Sequence, residues 1–360
     1  MTTHSVITGN SNNMSQLENG SVNLIVTSPP YPMIEMWDEI FSEQNPCIKT
    51  YLENGDGMSA YDKMHEILNS VWKECDRVLK DNGFVCINIG DATRTINGDF
   101  HLFSNHTKII DCFQSMGYTV LPDIHWRKRS NSPNKFMGSG MYPAGAYVTY
   151  EHEYILVFRK GGKRVFKGKE KTLRQKSAFF WEERNIWFSD LWDIKGTSQS
   201  MNVTTKGRDR NASFPLEIPY RLINMYSAEG DTVLDPFLGL GTTSLACILS
   251  KRNSIGYEID QDIAASALEN MNISICTANE YINARIKRHL DFINSLPAEK
   301  KEKCYRNDPH GFNVKTRQET AIEFEKLKTI NKIDVGYNCE YVKLDFSEET
   351  ELVLCQDFGQ

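Results

Sequence analysis

Short apolar runs alternate along the chain with longer segments in which apolar residues recur every three or four positions. The runs at 22–27 and 84–89 are rich in β-branched and other apolar residues and predict buried strands. Between them, residues 61–80 place apolar side chains on one helical face, and Asn82-Gly83 marks the end of that helix. We predict strands at 4–8, 22–27, 84–89, 118–126, 154–158, 232–234 and 254–259, and helices at 61–80, 106–116, 214–226, 263–271 and 278–296.

The order of these elements predicts the fold class. Strands that alternate with helices form a mainly parallel sheet with helices on both faces, so we expect an α/β protein. Residues 32–60 and 127–146 show neither the apolar runs of strands nor the three- to four-residue spacing of helices, and we predict loops there. Towards the carboxyl end the pattern predicts one helix at 316–330 and a hairpin at 340–355.

Length and composition narrow the class of protein. The chain has 360 residues, of which 40% are hydrophobic, and a formal net charge of −6. It is long enough for one large domain with insertions or for two domains. No run of about 18 apolar residues occurs, and the first residues lack the basic and apolar parts of a secretion signal, so we expect a cytoplasmic protein with no membrane association. The nine cysteines include no Cys-x-x-Cys pair, which favours reduced thiols over disulfides or a zinc site.

The first candidate for chemistry is the tetrapeptide Ser28-Pro29-Pro30-Tyr31, which follows the buried run at 22–27. Two prolines stop the strand, because proline has no N–H for the sheet ladder and holds the preceding residue extended. Fixed carbonyl oxygens beside the flat Tyr31 ring suit a planar heterocycle that carries an amino group. The simpler alternative is that Pro-Pro-Tyr only ends a strand. Asp91 ends a neighbouring strand, as either a catalytic or a structural carboxylate.

A second motif, Asp235-Pro-Phe-Leu-Gly-Leu-Gly-Thr-Thr, lies between a predicted strand and a helix. Its glycines let the backbone approach a ligand, and the helix that follows offers free N–H groups. Glu258 ends the next strand, where a carboxylate can bind two ribose hydroxyls. A nicotinamide dehydrogenase binds its cofactor with a similar glycine-rich loop, Gly-x-Gly-x-x-Gly. Here Ser244 stands where the third glycine of that motif is expected. The alternative role for Asp235 is a helix cap.

These two motifs, in this order, resemble those of a known family. The chain is similar to the bacterial DNA amino-methyltransferases of the β group, whose catalytic motif precedes the cofactor motif in a circularly permuted order. The matching segments are 27–31 (TSPPY), 152–161 (HEYILVFRKG), 214–223 (FPLEIPYRLI) and 235–243 (DPFLGLGTT), together with Glu258. The resemblance implies a seven-stranded, mostly parallel sheet in which residues 4–160 and 231–275 join as one core.

The resemblance also implies a site and its cofactor, S-adenosyl-L-methionine, with S-adenosyl-L-homocysteine as the product and no metal. The Ser28 side chain and the Pro29 carbonyl would accept hydrogens of an exocyclic amine, while Tyr31 stacks on the flipped-out base. Asn10 stands where the family has an acid near the cofactor adenine. The implied catalytic residues are Ser28, Pro29, Pro30 and Tyr31, and the implied cofactor-binding residues are Asn10, Thr27, Asp235, Phe237, Gly239, Gly241, Thr242, Thr243, Glu258 and Asp260.

The same resemblance divides the chain into parts. We expect the catalytic half of the core at 1–160, a target-recognition insert at 161–211, the cofactor-binding half at 212–296 and a carboxyl-terminal extension of unassigned role at 297–360. Residues 159–176 contain nine Lys or Arg and one acid, which suits DNA phosphates, although a charge run is also typical of a solvated face. The expected DNA-binding residues are Lys163, Arg164, Lys167, Lys206, Arg208 and Arg210.

The predicted function is site-specific methylation of double-stranded DNA. Ser-Pro-Pro-Tyr resembles the motif of members that methylate cytosine at N4, whereas adenine-N6 members usually carry Asp or Asn before Pro-Pro. We therefore predict N4-methylcytosine as the product and keep adenine-N6 as the alternative. A regulator that binds DNA or cofactor without turnover is a second alternative, which the intact motifs disfavour. The family also implies a partner restriction endonuclease, and it leaves the oligomeric state open.

Overall fold

The computed structural model describes residues 1–128, 137–138, 142–148, 150–196 and 214–345, with backbone alone at 137–138 and 146–147. Its strands are β1 (Thr2–Thr8), β2 (Val22–Thr27), β3 (Leu79–Ile89), β4 (Ala92–Ile96), β5 (Asp99–Phe103), β6 (Thr119–Val120), β7 (Ile124–Arg127), β8 (Met137–Gly138), β9 (Ala146–Tyr147), β10 (His152–Arg159), β11 (Leu191–Trp192), β12 (Thr232–Asp235), β13 (Asn253–Glu258), β14 (Tyr305–Arg306), β15 (Asn313–Val314), β16 (Glu325–Ile333) and β17 (Gly336–Lys343). Its helices are α1 (Asp38–Gln44), α2 (Cys47–Glu53), α3 (Gly57–Val78), α4 (Asn105–Ser115), α5 (Lys169–Lys176), α6 (Trp181–Trp187), α7 (Glu217–Tyr226), α8 (Thr242–Leu249), α9 (Gln261–Met271), α10 (Ile275–Ser295) and α11 (Ala298–Lys301).

Among the described residues, 11 strands form one large sheet. Its path runs β11-β7-β10-β3-β2-β12-β13-β1-β17-β16, with β6 paired to β10. The central strands β3, β2, β12, β13 and β1 pair in parallel. β10 is antiparallel to both of its neighbours, so β7 has the direction of the central strands. The five central strands are the mostly parallel sheet that the sequence predicts. The short or antiparallel strands add to its two sides.

Helices cover both faces of the sheet, and therefore the central strands are apolar on both faces. In β2, Leu24 and Val26 join a buried cluster with α7, α8 and α9. Ile25 points to the other face and joins a cluster with α3 and α4. The alternation of the two faces along β2 fixes its register, and the register fixes where Ser28 leaves the sheet.

The parallel strands all finish at one edge of the sheet, here called the carboxyl edge. Open α/β sheets bind ligands outside this edge. β10 runs the opposite way, so it starts at the carboxyl edge near Glu153 and finishes at the opposite, amino edge with Arg159. The residues that end the central strands at the carboxyl edge are Thr8, Thr27, Ile89, Asp235 and Glu258.

The segment 32–60 is not one loop, as predicted, because it contains α1, α2 and the start of α3. Asp38 in the first turn of α1 accepts two hydrogen bonds from the Arg94 guanidinium, at 2.9 and 2.8 Å. Isolated helices of seven residues are not stable alone. These helices depend on tertiary contacts that the local pattern does not contain.

The predicted helix at 316–330 is also wrong. Residues Glu325–Ile333 form β16, which makes a hairpin with β17 and extends the sheet beyond β1. A strand in an edge hairpin is stabilised by its neighbours, and its own periodicity is weak. The part of the predicted hairpin beyond residue 345 lies outside the described residues.

The carboxyl-terminal residues pack against α6 and α10. Glu183 on α6 and Arg285 on α10 form a buried ion pair through two bonds, at 2.6 and 2.8 Å. Beside it lies a third apolar cluster, made of Phe180, Ile282, Ile286, Phe312, Val314, Ile322, Phe324 and Leu344.

Two further features concern the described part of the chain. None of the helices found there is both long enough and apolar enough to cross a membrane. Its cysteines are all free thiols, and four of them, Cys75, Cys86, Cys247 and Cys339, are buried. These buried thiols pack as small apolar side chains.

Candidate active site

One buried carboxylate joins the end of β2 to the loop after β12. Asp235 accepts a hydrogen bond from the Thr27 hydroxyl and another from the Thr243 hydroxyl, each at 2.6 Å. The backbone N–H of Phe237 donates to the same carboxylate at 3.1 Å. Burial raises the pKa of Asp235 to about 6, against the lowering effect of these hydrogen bonds. Because Thr27 directly precedes Ser28, this contact holds the tetrapeptide against the glycine loop.

The glycine loop also contacts the end of β13. Glu258 accepts the N–H of Gly239 at 2.9 Å and that of Asp260 at 3.0 Å. Gly239 and Gly241 have φ angles of 54° and 85°, which other residues rarely adopt. A Cβ atom at Gly239 would meet nothing within 4 Å, and the same holds for Gly9, whose N–H donates to the Glu258 carbonyl at 2.8 Å. Open space therefore lies beside both glycines at the carboxyl edge.

Asp260 and Asn10, two further predicted cofactor-binding residues, also have partners within the chain. The Asp260 carboxylate caps α9, because it accepts the N–H groups of Asp262 at 3.0 Å and Ile263 at 3.2 Å. Asn10 follows Gly9, and its side-chain amide donates to Gln44 of α1 at 3.0 Å. The end of α1 thus lies against the strand end that carries Asn10.

Phe237 and Thr242 lie on either side of the glycine turn. The Phe237 ring packs edge-on against Trp72 of α3, with 5.7 Å between ring centroids. Thr242 is the first residue of α8, directly after Gly241. The ring anchors one end of the turn in the core, and α8 begins at the other end.

After β2 the chain enters a network of hydrogen bonds. Ser28 Oγ lies 3.1 Å from Tyr31 Oη, which donates to Glu153 at 2.9 Å. The Asn88 side-chain amide donates to Tyr31 Oη at 2.8 Å and to Glu153 at 2.7 Å. The second oxygen of Glu153 forms an ion pair with Lys128. The network therefore connects β2, β3 and β10 with the residue that follows β7.

The polar groups of this network are largely buried. Asn88 is 2% exposed and Glu153 7%. Burial, followed by the charge of Glu153, raises the pKa of Tyr31 well above its usual value, so the phenol keeps its proton. The neighbouring Gly90 leaves room for the ring, since a Cβ atom there would lie 3.0 Å from Tyr31. Of the two prolines in the tetrapeptide, Pro29 is buried and Pro30 is partly buried.

Sequence reasoning did not identify Asn88, Glu153 and Lys128. Two signals were available. Asn88 is the one polar residue in the apolar run 84–89, and Glu153 is an acid at the head of an apolar strand. A polar side chain within a buried strand needs a partner, because leaving it unpaired is unfavourable. Lys128 lies after β7 in a polar segment and carries no comparable signal.

Asp91 is a structural carboxylate. It accepts the backbone N–H of His106 at 3.1 Å, and its two oxygens lie 2.8 and 2.9 Å from His106 Nδ1. The His106 ring stacks on Tyr154, with 4.0 Å between centroids. Asp91 thus holds the first turn of α4 against the sheet.

The structure separates the described members of the predicted DNA-binding set from this site. Lys163, Arg164 and Lys167 follow the end of β10 and lie at the amino edge. Arg164 forms an ion pair of 2.6 Å with Asp231, which directly precedes β12. Six strand residues span ~20 Å, so these side chains lie about one strand length from Ser28.

That these three residues bind DNA phosphates stays a prediction, and any such contact would lie about one strand length from the pocket. Lys163 and Lys167 are exposed at the amino edge, and the Arg164 guanidinium is engaged within the protein. The other predicted DNA-binding residues, Lys206, Arg208 and Arg210, lie outside the described residues.

The fold and the site together define a class of protein. A mostly parallel sheet, a glycine-rich loop facing a carboxylate on the next strand, and Ser-Pro-Pro-Tyr at the adjacent strand end are the arrangement of an S-adenosyl-L-methionine-dependent methyltransferase. Residues 22–269 match the model of the N6/N4 methyltransferase family, described as DNA methylase, and the chain belongs to this family.

Two curated relatives are similar over most of their length. The type II methyltransferase M.MthZI of Methanothermobacter thermautotrophicus is 52% identical over 335 residues, which cover 92% of this chain and 93% of that protein. The type II methyltransferase M.MjaI of Methanocaldococcus jannaschii is 52% identical over 283 residues, which cover 76% of this chain and 92% of that protein.

Solved structures share the fold. TTHA0409 of Thermus thermophilus, complexed with S-adenosyl-L-methionine, is 29% identical with a TM-score of 0.58 and covers 74% of this chain and 93% of its own. The cytosine-N4-specific PvuII DNA methyltransferase has a TM-score of 0.52 at 19% identity, over 79% of this chain and 94% of its own. The similarity to the PvuII enzyme concerns the fold alone.

The cofactor of this enzyme is S-adenosyl-L-methionine, and the carboxyl edge fits it. Open space lies beside Gly9 and Gly239, the Glu258 carboxylate ends β13 between them, and the start of α8 offers backbone N–H groups. No group of three or more His, Cys, Asp or Glu in the described ranges is arranged to hold a metal ion.

Proposed function

We propose that the chain transfers the methyl group of S-adenosyl-L-methionine to N4 of a flipped-out cytosine in duplex DNA. The observation that carries the proposal is the position of Ser28. It directly follows Thr27, which Asp235 binds to the cofactor loop, and its hydroxyl enters a polar network at the same edge. Family members with an uncharged hydroxyl here are mostly cytosine-N4 enzymes, whereas adenine-N6 enzymes usually carry Asp or Asn.

The exocyclic amine of cytosine is a weak nucleophile, because its lone pair is delocalised into the ring. Acceptors aimed at the amine hydrogens draw the nitrogen towards tetrahedral geometry and stabilise the positive charge that develops on it. In this proposal the acceptors are the Ser28 hydroxyl oxygen and the Pro29 carbonyl. The rigid Pro-Pro backbone holds both in place before the base arrives.

The bound cofactor supplies an electrophilic methyl group on a sulfonium. We assign its methionine end to the backbone at Phe237, Gly239 and Gly241, and its ribose hydroxyls to Glu258. Burial raises the pKa of Glu258, and the N–H of Gly239 fixes the orientation of its carboxylate. The Asn10 side chain can accept a hydrogen bond from the cofactor adenine, although it lacks the charge of the family's acid.

A base inside a duplex cannot reach this pocket, so the target nucleotide must be flipped out. The Tyr31 ring is partly buried, and its hydroxyl is fixed by Glu153. We propose that the base stacks on this ring. Stacking on an aromatic side chain is worth about 1–3 kcal/mol, which offsets part of the unpairing free energy.

The DNA would approach the carboxyl edge. β7 and β11 pair in parallel and both end there, at Arg127 and Trp192. The segment after β11 contains Lys206, Arg208 and Arg210, which we retain as proposed DNA contacts. Among the described cations we add Arg127, whose side chain is 66% exposed and 3.2 Å from Glu151.

The M.MthZI and M.MjaI relatives are type II methyltransferases. We propose the same role here, in which methylation protects DNA from a partner endonuclease. Adenine at N6 remains the second candidate target. A regulator without turnover remains the candidate from another class.

Analysis of nucleosides tests the proposal. The full-length protein is incubated with duplex DNA and S-adenosyl-L-methionine, and the digested DNA is analysed by mass spectrometry. We expect N4-methylcytosine, a loss of about 100-fold in rate for Ser28→Ala, and an unchanged rate for the control Ser21→Ala at the amino end of β2. N6-methyladenine alone would overturn the choice of base, and cofactor binding without any methylated nucleoside would favour the regulator.

A further inference from the structure

The Tyr31 hydroxyl is the centre of the polar network, and its hydrogen bonds can be assigned completely. A phenol has one proton to donate and two lone pairs to accept with. Glu153 as a carboxylate can only accept, so the 2.9 Å contact takes the Tyr31 proton. The two lone pairs of Tyr31 Oη then face Asn88 at 2.8 Å and Ser28 at 3.1 Å.

This assignment fixes the direction of the remaining bonds. The Asn88 amide nitrogen donates one hydrogen to Tyr31 Oη at 2.8 Å and the other to Glu153 at 2.7 Å. It lies farther from Ser28 Oγ, at 3.5 Å. Since the only proton of Tyr31 goes to Glu153, the Ser28 hydroxyl must be the donor in its bond with Tyr31. The Ser28 proton is therefore committed to the network, and the lone pairs of its oxygen remain for a further donor.

We infer that Glu153 is a positioning residue that makes Ser28 an acceptor. By taking the Tyr31 proton, it turns the Ser28 hydroxyl towards Tyr31 and leaves Ser28 Oγ ready to accept a hydrogen of the target amine. The inference rests on the proposed function, because it assigns a task to Glu153 within that same site. Glu153 acts through Tyr31 and Ser28 and does not touch the reacting atoms.

Two further observations fit this role. Lys128 forms an ion pair with the second oxygen of Glu153, so the charge on the largely buried carboxylate has an opposite partner. The Asn88 carbonyl oxygen is buried and has no hydrogen-bond partner in the described part of the chain. Because the amide nitrogen must face Glu153, this oxygen cannot be exchanged with it. The network thus contains an acceptor that no described donor satisfies, in addition to the free lone pairs of Ser28 Oγ.

The test is the Glu153→Gln variant of the full-length protein. A glutamine amide can donate to Tyr31, which releases the phenol proton towards Ser28 and turns the Ser28 hydrogen into the pocket. We expect the single-turnover rate of methyl transfer to fall about 10- to 100-fold, with unchanged cofactor affinity. Tyr31→Phe keeps the ring but removes the hydroxyl, and a comparable loss is expected. Glu151→Gln, an acid two residues away, is the control and should retain the wild-type rate.

A second comparison separates positioning from a merely structural role. In a Ser28→Ala background the Glu153→Gln change should cause no further loss, because its effect passes through the Ser28 oxygen. An unchanged rate for Glu153→Gln, or the same loss in both backgrounds, would overturn the inference. If Glu153→Gln does not fold, the Tyr31→Phe comparison in the same two backgrounds decides. Failure of the proposed function gives a different result, namely a wild-type protein that methylates no DNA.

Discussion

Asp235 is the residue that joins the two sequence motifs in space. Its carboxylate binds Thr27 at the end of the catalytic strand and Thr243 in the first turn of α8, each at 2.6 Å. Sequence reasoning left its role open between a cofactor contact and a helix cap. The structure shows a carboxylate engaged by three donors of the chain itself, two from the cofactor loop and α8 and one from the catalytic strand.

Asp235→Asn tests the state of this buried carboxylate. Folding raises its pKa from 3.8 to about 6, so the folded protein binds more protons than the unfolded chain between these values. The free energy of unfolding therefore falls as the pH rises from about 4 to about 6. The expected loss is on the order of 3 kcal/mol, at about 1.4 kcal/mol per pKa unit.

Urea unfolding of wild type and variant across this range measures the effect. The stability of the wild type relative to Asp235→Asn should decrease by that amount as the pH rises. A constant difference between the two proteins would show that the Asp235 charge is not desolvated in the folded state.

At the scale of elements, the glycine turn places α8 beside the end of β13. Gly239 needs its positive φ of 54°, and open space surrounds its missing Cβ position. Gly230 is a natural control, since it has a φ of 79° and equally open surroundings at the amino edge.

Gly239→Ala and Gly230→Ala should both lose about 1–2 kcal/mol of stability, because each forces an L residue into a left-handed conformation. Only Gly239→Ala also fills part of the open space beside Gly9 and Gly239, here called the cofactor cradle. Calorimetry should show cofactor affinity reduced about 10-fold or more for Gly239→Ala, which corresponds to ~1.4 kcal/mol, and unchanged for Gly230→Ala. Equal affinities for the two variants would contradict the cradle.

A buried ion pair joins α6 to α10. The Glu183–Arg285 pair is buried, and removal of one partner from such a pair costs about 3–5 kcal/mol. Arg285→Met should therefore lower the free energy of unfolding by about that amount. Lys63→Met, which breaks the exposed Lys63–Glu66 pair, should change it by less than about 1 kcal/mol. Chemical denaturation of both variants provides the comparison, and similar losses would contradict it.

Elements with strong local patterns were predicted well from sequence, and elements that depend on distant partners were not. The buried runs of β2 and β3 and the long amphipathic α3 carry their own signal. By contrast, α1 depends on the Arg94 contact and β16 on pairing with β17. The same holds in the site. The tetrapeptide at Ser28 was found, but Glu153 was not, because its importance lies in contacts with residues far away in the sequence.

At the scale of the whole molecule, the two edges of the sheet have different roles. The candidate site lies at the carboxyl edge, and β10 carries the chain away from it to the exposed cations at the amino edge. A count of charges along the sequence cannot show this separation, because it depends on the antiparallel direction of β10.

Arg127→Ala and Lys163→Ala, two exposed cations at opposite edges, test which edge binds DNA. The slope of log affinity against log salt should become shallower by about 1 for Arg127→Ala, because one phosphate contact is lost. Lys163→Ala should keep the wild-type affinity and slope. Fluorescence anisotropy with a labelled duplex measures both, and the opposite pattern would place the DNA at the amino edge.

The central claim is that one edge of the sheet brings a methyl donor and an extruded cytosine together. A crystal structure of the protein with S-adenosyl-L-homocysteine and its duplex substrate tests it most directly. The account predicts the cofactor sulfur beside the Gly239 loop and a cytosine stacked on Tyr31, with its amine within about 3 Å of Ser28 Oγ. A cofactor bound elsewhere, or a duplex seated at the amino edge with every base still paired, would contradict it.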